Sequence, residues 1–290
     1  MLLITPKVEE IIPKNCTLES VFKHIEIVGR TCYNSGDKIT QDSAQKFVQN
    51  LVQKGHGAML EHGTIYLLIE VAARGDYDNE RAQFYITNPY SFVNQVNKSR
   101  GAVSFYITTN YRVIVENGRE DDIKHYAINP QPEHTKRRTL KITCDRGVSH
   151  ELVRHRVFSF AQQSTRYCNF SKSKYGHEIT FVRPPWYQAA AALEGGALTP
   201  DQSTELQRFA LWRDACFTAE HTYFRLLELG ETPQQARSVL PNSLATELVM
   251  TGTEDQWREF LKLREDKAAH PQAREVAALI KGVLGWGNNA

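Results

Sequence analysis

The sequence predicts an α+β fold, a single mixed helix/sheet domain spanning residues 1–290. Three observations predict it. Capped amphipathic segments alternate irregularly with short β-branched apolar runs, so there is no βαβ rhythm. No GxGxxG follows a strand and no GxxxxGK[ST] occurs, which removes the dinucleotide and P-loop signatures. No shift of composition marks a second domain.

Taken in order, TLESVFKHIEIVGRTCYNS (17–35) predicts a helix, with Val21, Ile25 and Val28 on one stripe and Thr17 able to cap it. SAQKFVQNLVQKGHG (43–57) predicts a second, ending at glycine. TIYLLIEV (64–71) predicts a buried strand. Between about 82 and 116, FYITNPYSFVN and AVSFYITTNYRVIVEN predict further strands or irregular structure, and the proline-punctuated stretch 118–138 predicts a polar surface excursion. TLKITC reads as a strand and DRGVSHELVRHR as a helix; HEITFVRPP reads as a strand stopped by prolines. Thr199-Pro200-Asp201-Gln202 opens a helix to about Leu229, stopped by Gly230. Thr232-Pro233-Gln234-Gln235 opens a short helix ending at Pro241. LATELVMTG predicts a strand, Thr253-Glu254-Asp255-Gln256 a helix through Arg264, and His270-Pro271 precedes the last helix.

Composition bounds the function. The chain is 41% hydrophobic and 10% aromatic, ample for a packed core. Lys plus Arg is 35 and Asp plus Glu is 33, a net +2, which argues against extended nucleic acid as a partner. Cys16, Cys32, Cys144, Cys168 and Cys216 are odd in number and form no CxxC, as in reduced intracellular proteins. The first residues carry no signal-peptide pattern and no window approaches the roughly 20 apolar residues of a membrane span. A cytoplasmic protein without membrane contact is expected.

The chemistry concentrates in SHELVRHRVFSFAQQSTRY (149–167). His150 and His155 are five apart, about 140° around a helix, so HELVRH does not match the one-face HExxH zinc arrangement and no metal is expected. Ser159 and Ser164 lack a GxSxG elbow, and Cys168 reads as a small buried residue. In a continuous helix Arg154 and Arg156 diverge by about 160°. They would then serve two anions, or one extended anion wrapped around the helix end. The hydroxyls and amides of AQQST, followed by Arg166-Tyr167, suit a planar polar ring and a phosphate together. By chemistry alone the segment points to a nucleotide or phosphorylated cofactor.

Four motifs carry a resemblance to a known family. Arg154-His155-Arg156, followed by seven residues and Ser164, resembles the signature of the flavin-dependent thymidylate synthases. ARSVLPNSLATEL (236–248), WREFLKLREDKAAHPQAREVA (257–277) and GHGAMLEH (55–62) are similar to three further blocks of that family, in the same order. The resemblance implies reductive methylation of dUMP to dTMP. Methylenetetrahydrofolate would be the carbon donor, FAD the cofactor and NADPH the reductant. It also implies a homotetramer with active sites shared between subunits.

Carried over residue by residue, the resemblance implies FAD contacts at His56, Arg154, His155, Arg156 and Gln162. It implies a dUMP pocket from Glu151, Leu152, Arg154, Gln163, Ser164, Thr165, Arg166, Arg237 and Arg264. Ser164 and Arg166 would lie near the phosphate. Arg264 would face the pyrimidine in a catalytic role, stabilising negative charge on the base. Ala58, Ala161-Gln162 and Ala268 depart from the family pattern at positions expected near FAD. Extra length is expected near 72–137 and 186–203. The alternative is a nucleotide-binding homologue without catalysis, which would neither retain a flavin nor turn over.

Overall fold

A computed structural model describes residues 1–72, 76–172, 175–187 and 200–287. The strands are β1 (Leu2–Ile4), β2 (Lys7–Glu10), β3 (Thr64–Val71), β4 (Phe92–Asn97), β5 (Val103–Asn110), β6 (Arg137–Asp145), β7 (Ser159–Gln162), β8 (Thr180–Val182) and β9 (Ala245–Thr253). The helices are α1 (Leu18–Thr31), α2 (Ser43–Gln53), α3 (Gly57–Leu60), α4 (Asp76–Thr87), α5 (Tyr111–Glu116), α6 (Glu120–Tyr126), α7 (Arg146–Leu152), α8 (Pro200–Glu228), α9 (Pro233–Ala236), α10 (Glu254–Arg264) and α11 (Pro271–Val283).

The strands form three sheets: an antiparallel β2-β6-β9-β7, an antiparallel β3-β5-β4, and the parallel pair β1-β8. The class is α+β, as the irregular alternation of signals predicts. Leu140, Ile142, Leu248 and Met250 of the first sheet pack with Trp257 and Phe260 of α10 and Val276 and Ile280 of α11. A second core joins Val21 and Ile25 of α1 to Leu67, Ile69 and Ile107 of the second sheet. A third places Phe181 beside Cys216 and Tyr223 of α8. Among the described residues no helix is long and apolar enough to cross a membrane.

The local signals that held are those with a specific physical cause. The Thr17 side chain accepts from the Ser20 N–H at 3.3 Å, so α1 begins there. Thr253 and Gln256 form a reciprocal capping box, fixing the β9–α10 junction. Gly230, at φ +95°, ends α8 in a conformation that a side chain disfavours. The Thr199 cap expected for α8 lies outside the described residues, as does most of the stretch expected as extra length near 186–203.

Three expectations are corrected. FYIT is the end of α4, not a strand: Ala82 and Tyr85, three apart, are both buried, and the Tyr85 hydroxyl donates to Asp122 at 2.7 Å, so tertiary packing overrides the aromatic preference for strands. The polar stretch after 118 is no bare surface excursion. Glu120, Asp121 and Asp122 occupy the first turn of α6, where the helix dipole favours acids, and buried Asp122 pairs with Arg81. Finally, the helix expected through RHR stops at Leu152.

Candidate active site

That early stop shapes the site. Strand β6 delivers Asp145, whose carboxylate accepts from the Val148 N–H at 2.8 Å and caps α7. Seven residues later the helix is over, and Arg154, His155 and Arg156 lie on the turn that enters β7. The His155 N–H reaches the Leu152 carbonyl at 3.1 Å and the Phe158 N–H reaches the His155 carbonyl at 3.1 Å. The 160° divergence of a continuous helix therefore does not apply. Arg154 and Arg156 are both exposed and, among the described residues, neither has a carboxylate in ion-pair range. Exposed Val153 and Val157 flank them, giving a cationic turn with apolar shoulders.

Behind the turn, α10 sends Arg264 back toward α7. Its Nε donates to His155 Nε2, one terminal nitrogen donates to Glu151 Oε2 and the other to the Glu151 carbonyl, each at 2.8 Å. Three of the five guanidinium N–H groups are thus used, and two remain. Arg264 is held in an ion pair with Glu151. Because His155 Nε2 accepts, its ring is neutral with the proton on Nδ1. Burial, reinforced by the Arg264 charge, holds its pKa below the ordinary value. Phe260, 4.7 Å away centroid to centroid, backs the ring.

A second cluster forms where β7 ends. Residues 164–168 make a tight turn, with the Tyr167 and Cys168 N–H groups on the Ser164 carbonyl, and the Ser164 N–H itself donates to the Cys32 carbonyl at 2.9 Å. This aims buried Thr165 at Arg237, whose guanidinium donates to Thr165 Oγ1 at 2.9 Å. Arg146, His150, Thr165 and Arg237 share a cavity of about 460 Å³. Arg146, which the sequence reading passed over, has no carboxylate partner among the described residues; burial first, then Arg237, lower its pKa. Its signal was available, since it is the first residue of the helix whose last residues were singled out.

The remaining predicted residues are distributed by strand alternation. The Gln162 amide donates to Ser149 Oγ at 2.8 Å and ties β7 to α7, whereas Gln163 lines a different cavity with Thr246 and Glu247. Leu152 is buried in the core beside the site. Arg166 is exposed and lies over the Tyr167 ring at 5.5 Å, and Tyr167 meets Tyr33 at 5.4 Å. His56 sits exposed at the start of α3, and no hydrogen bond or ring contact among the described residues joins it to the others. Arg274 on α11, not foreseen, has a buried Nε without a hydrogen-bond partner.

The family model of the thymidylate synthase complementing protein matches residues 131–284, just over half the chain. The chain belongs to this family. Its curated relatives include proteins named flavin-dependent thymidylate synthase. One from Mycobacterium sp. (strain JLS) is 25% identical over 259 residues, covering 87% of this chain and 71% of the relative. One from Mycobacterium avium (strain 104) is 29% identical over 255 residues, with the same two shares. A third, from Mycobacterium sp. (strain KMS), is 33% identical over 136 residues, covering 46% of this chain and about half (51%) of the relative. A solved UMP/dUMP methylase from Streptomyces cacaoi, bound with 5-Br dUMP, aligns over 99% of this chain and 93% of its own at 18% identity and a TM-score of 0.44. The family is one of enzymes, and the name of these relatives implies a flavin. The matched span holds the RHR turn, the Thr165–Arg237 cluster and both arginine-bearing helices α10 and α11.

Proposed function

We propose that the protein converts dUMP to dTMP with methylenetetrahydrofolate as carbon donor, FAD as cofactor and NADPH as reductant. The observation that carries the reading is the pair of uncompensated cations, Arg146 and Arg237, around Thr165 in one cavity. A nucleotide monophosphate supplies the missing negative charge, and charge-assisted contacts of this type are the strong ones. Ser164, Thr165, Arg166 and Arg237 would hold the phosphate end, with Gln163 at the margin. Glu151, Leu152, Arg154 and Arg264 would lie toward the base.

The chain's groups fit a flavin nucleotide as well. Arg154 and Arg156 are exposed, unneutralised and flanked by apolar Val153 and Val157, which suits a diphosphate attached to a planar ring. His155 would stand at the same ligand through its remaining Nδ1–H, with His56 and Gln162 as further contacts. Arg154, His155 and Arg156 would hold the flavin, which would supply the hydride transfer from the nicotinamide to the methylene carbon carried on the nucleotide. The protein's own part is electrostatic and positional. Glu151 and His155 fix the plane of Arg264, and its two free N–H groups would donate to the base as negative charge develops there. The pairing with Glu151 makes this a dipole rather than a bare charge. A homotetramer with active sites shared between subunits is part of the proposal.

The test is dTMP formation by purified protein given dUMP, methylenetetrahydrofolate and NADPH, with and without added FAD. Flavin-dependent dTMP supports the reading. Folded protein that binds dUMP yet forms no dTMP overturns it in favour of a nucleotide-binding homologue.

A further inference from the structure

Away from the candidate active site, four buried side chains form a hydrogen-bonded row across the β6–β9 ladder. His24 Nε2 lies 3.1 Å from Thr139 Oγ1, which lies 2.8 Å from Thr251 Oγ1, which lies 2.7 Å from His62 Nδ1. His24 is 5% exposed and its Nδ1 has no hydrogen-bond partner. Beside the row stands Arg137, whose guanidinium donates to the Glu61 carbonyl and Thr64 Oγ1 at 3.1 Å and to Ser159 Oγ at 3.4 Å. All three acceptors are neutral. The Glu61 carboxylate is taken by Arg112 at 2.6 Å, and among the described residues none lies within ion-pair range of Arg137. Arg137, His24, His62 and Thr139 line one cavity of about 350 Å³, whose apolar wall is Ile11, Ile12 and Pro13.

We propose that this cavity binds a small organic carboxylate, its oxygens on Arg137 and His24 and its apolar body against Ile11, Ile12 and Pro13. A half-buried guanidinium with only neutral acceptors carries a desolvation cost that an anion offsets. Its forked donors match the two oxygens of a carboxylate. Burial holds the pKa of Arg137 at about 10 and of His24 at about 4, so near neutral pH the arginine is charged and the histidine is not. With the carboxylate bound, the hydroxyl row would run from His62 Nδ1–H to Thr251, from Thr251 to Thr139 and from Thr139 to His24 Nε2, which places the His24 proton on Nδ1, where it would donate to the ligand. The neighbouring Arg138 adds no free charge, since it is already paired with Glu10 and Glu254. One cation with apolar walls suits a monoanion with an apolar body better than a phosphate dianion.

This site rests on no part of the flavin reading. The test is calorimetric titration of the full-length protein, in the presence of dUMP and FAD, with three probes: benzoate, its uncharged analogue benzamide, and inorganic phosphate. Benzoate should bind at least tenfold more tightly than either of the others. Arg137→Gln should weaken benzoate at least tenfold. Because Arg137 is also a structural donor, Ile12→Glu provides a second arm: Ile12 is 73% exposed, so the variant should fold and yet repel the carboxylate, again by tenfold or more. Benzamide or phosphate binding as tightly as benzoate, no benzoate binding by folded protein, or undiminished affinity in Ile12→Glu would each overturn the proposal.

Discussion

Arg237 holds Thr165 with one guanidinium nitrogen and shares its cavity with Arg146, so two cations line one cavity in which no described residue is acidic. Removing one should cost nucleotide affinity rather than stability. Arg237→Ala is expected to weaken dUMP binding by about 1.5–3 kcal/mol, the range for a hydrogen bond to a charged group. Calorimetric titration of dUMP checks it, and an unchanged Kd would remove Arg237 from the phosphate site. Arg156→Ala tests the other ligand, because this exposed arginine has no ion-pair partner to lose among the described residues. The variant should fold normally and purify with less flavin, read from the ratio of flavin to protein absorbance; full flavin occupancy would count against the cationic turn. The sequence singled out most of these candidates because RHR and the serine after it lie in one short stretch. It missed Arg146 and Arg274, whose significance depends on what stands opposite them in space. It also could not reveal that Arg264 arrives already paired with Glu151.

At the scale of elements, the junction between β9 and α10 concentrates two devices that single substitutions can probe. A Cβ at Gly252 would sit 2.4 Å from the Phe158 ring, which is itself packed on Trp257. Gly252→Ala is therefore expected to lower stability by about 1–3 kcal/mol through overpacking. One residue on, Thr253→Ala removes the capping box and should cost about 1 kcal/mol. Urea midpoints at constant m-value measure both, and a Gly252→Ala midpoint equal to that of the parent would show that the ring moves freely. The same junction shows why some elements were legible in sequence. Thr253-Glu254-Asp255-Gln256 states its cap in four residues, and β3 and β9 announce themselves by unbroken apolar runs. By contrast, α4 and α6 exist because Tyr85 and Arg81 meet Asp122 across 37 and 41 positions, which no local window contains. The end of α7 at Leu152 was hidden for a related reason. Nothing in HELVRHR breaks a helix by propensity, and the turn is held instead by Arg264, 109 positions away from His155.

For the molecule as a whole, the His24–Thr139–Thr251–His62 row joins α1 and the segment before β3 to the β6–β9 ladder, bridging the two principal cores. Both histidines are neutral in the fold. Burial, with Arg137 nearby, lowers the pKa of His24 to about 4; burial, then His24 and Arg137, lowers that of His62 to about 3. In the unfolded chain each returns to about 6.5. Between pH 6.5 and those folded values the unfolded state binds more protons than the native state, so stability rises with pH across that window and falls as the solution is acidified. Above about pH 7 neither state is protonated at these sites and their contribution is flat. At about 1.4 kcal/mol per pKa unit, the loss once the pH is below the folded value is on the order of 3 kcal/mol for His24 and about 5 kcal/mol for His62. Titration of carboxylates would also lower stability in acid, so the decisive quantity is a slope and not a single value. Urea unfolding measured from pH 7.5 to pH 4 should give a shallower dependence in His24→Gln than in the parent, whatever its absolute stability. An identical slope would mean that folding leaves the His24 pKa where it is in the unfolded chain, and the burial assigned to that imidazole would have to be abandoned.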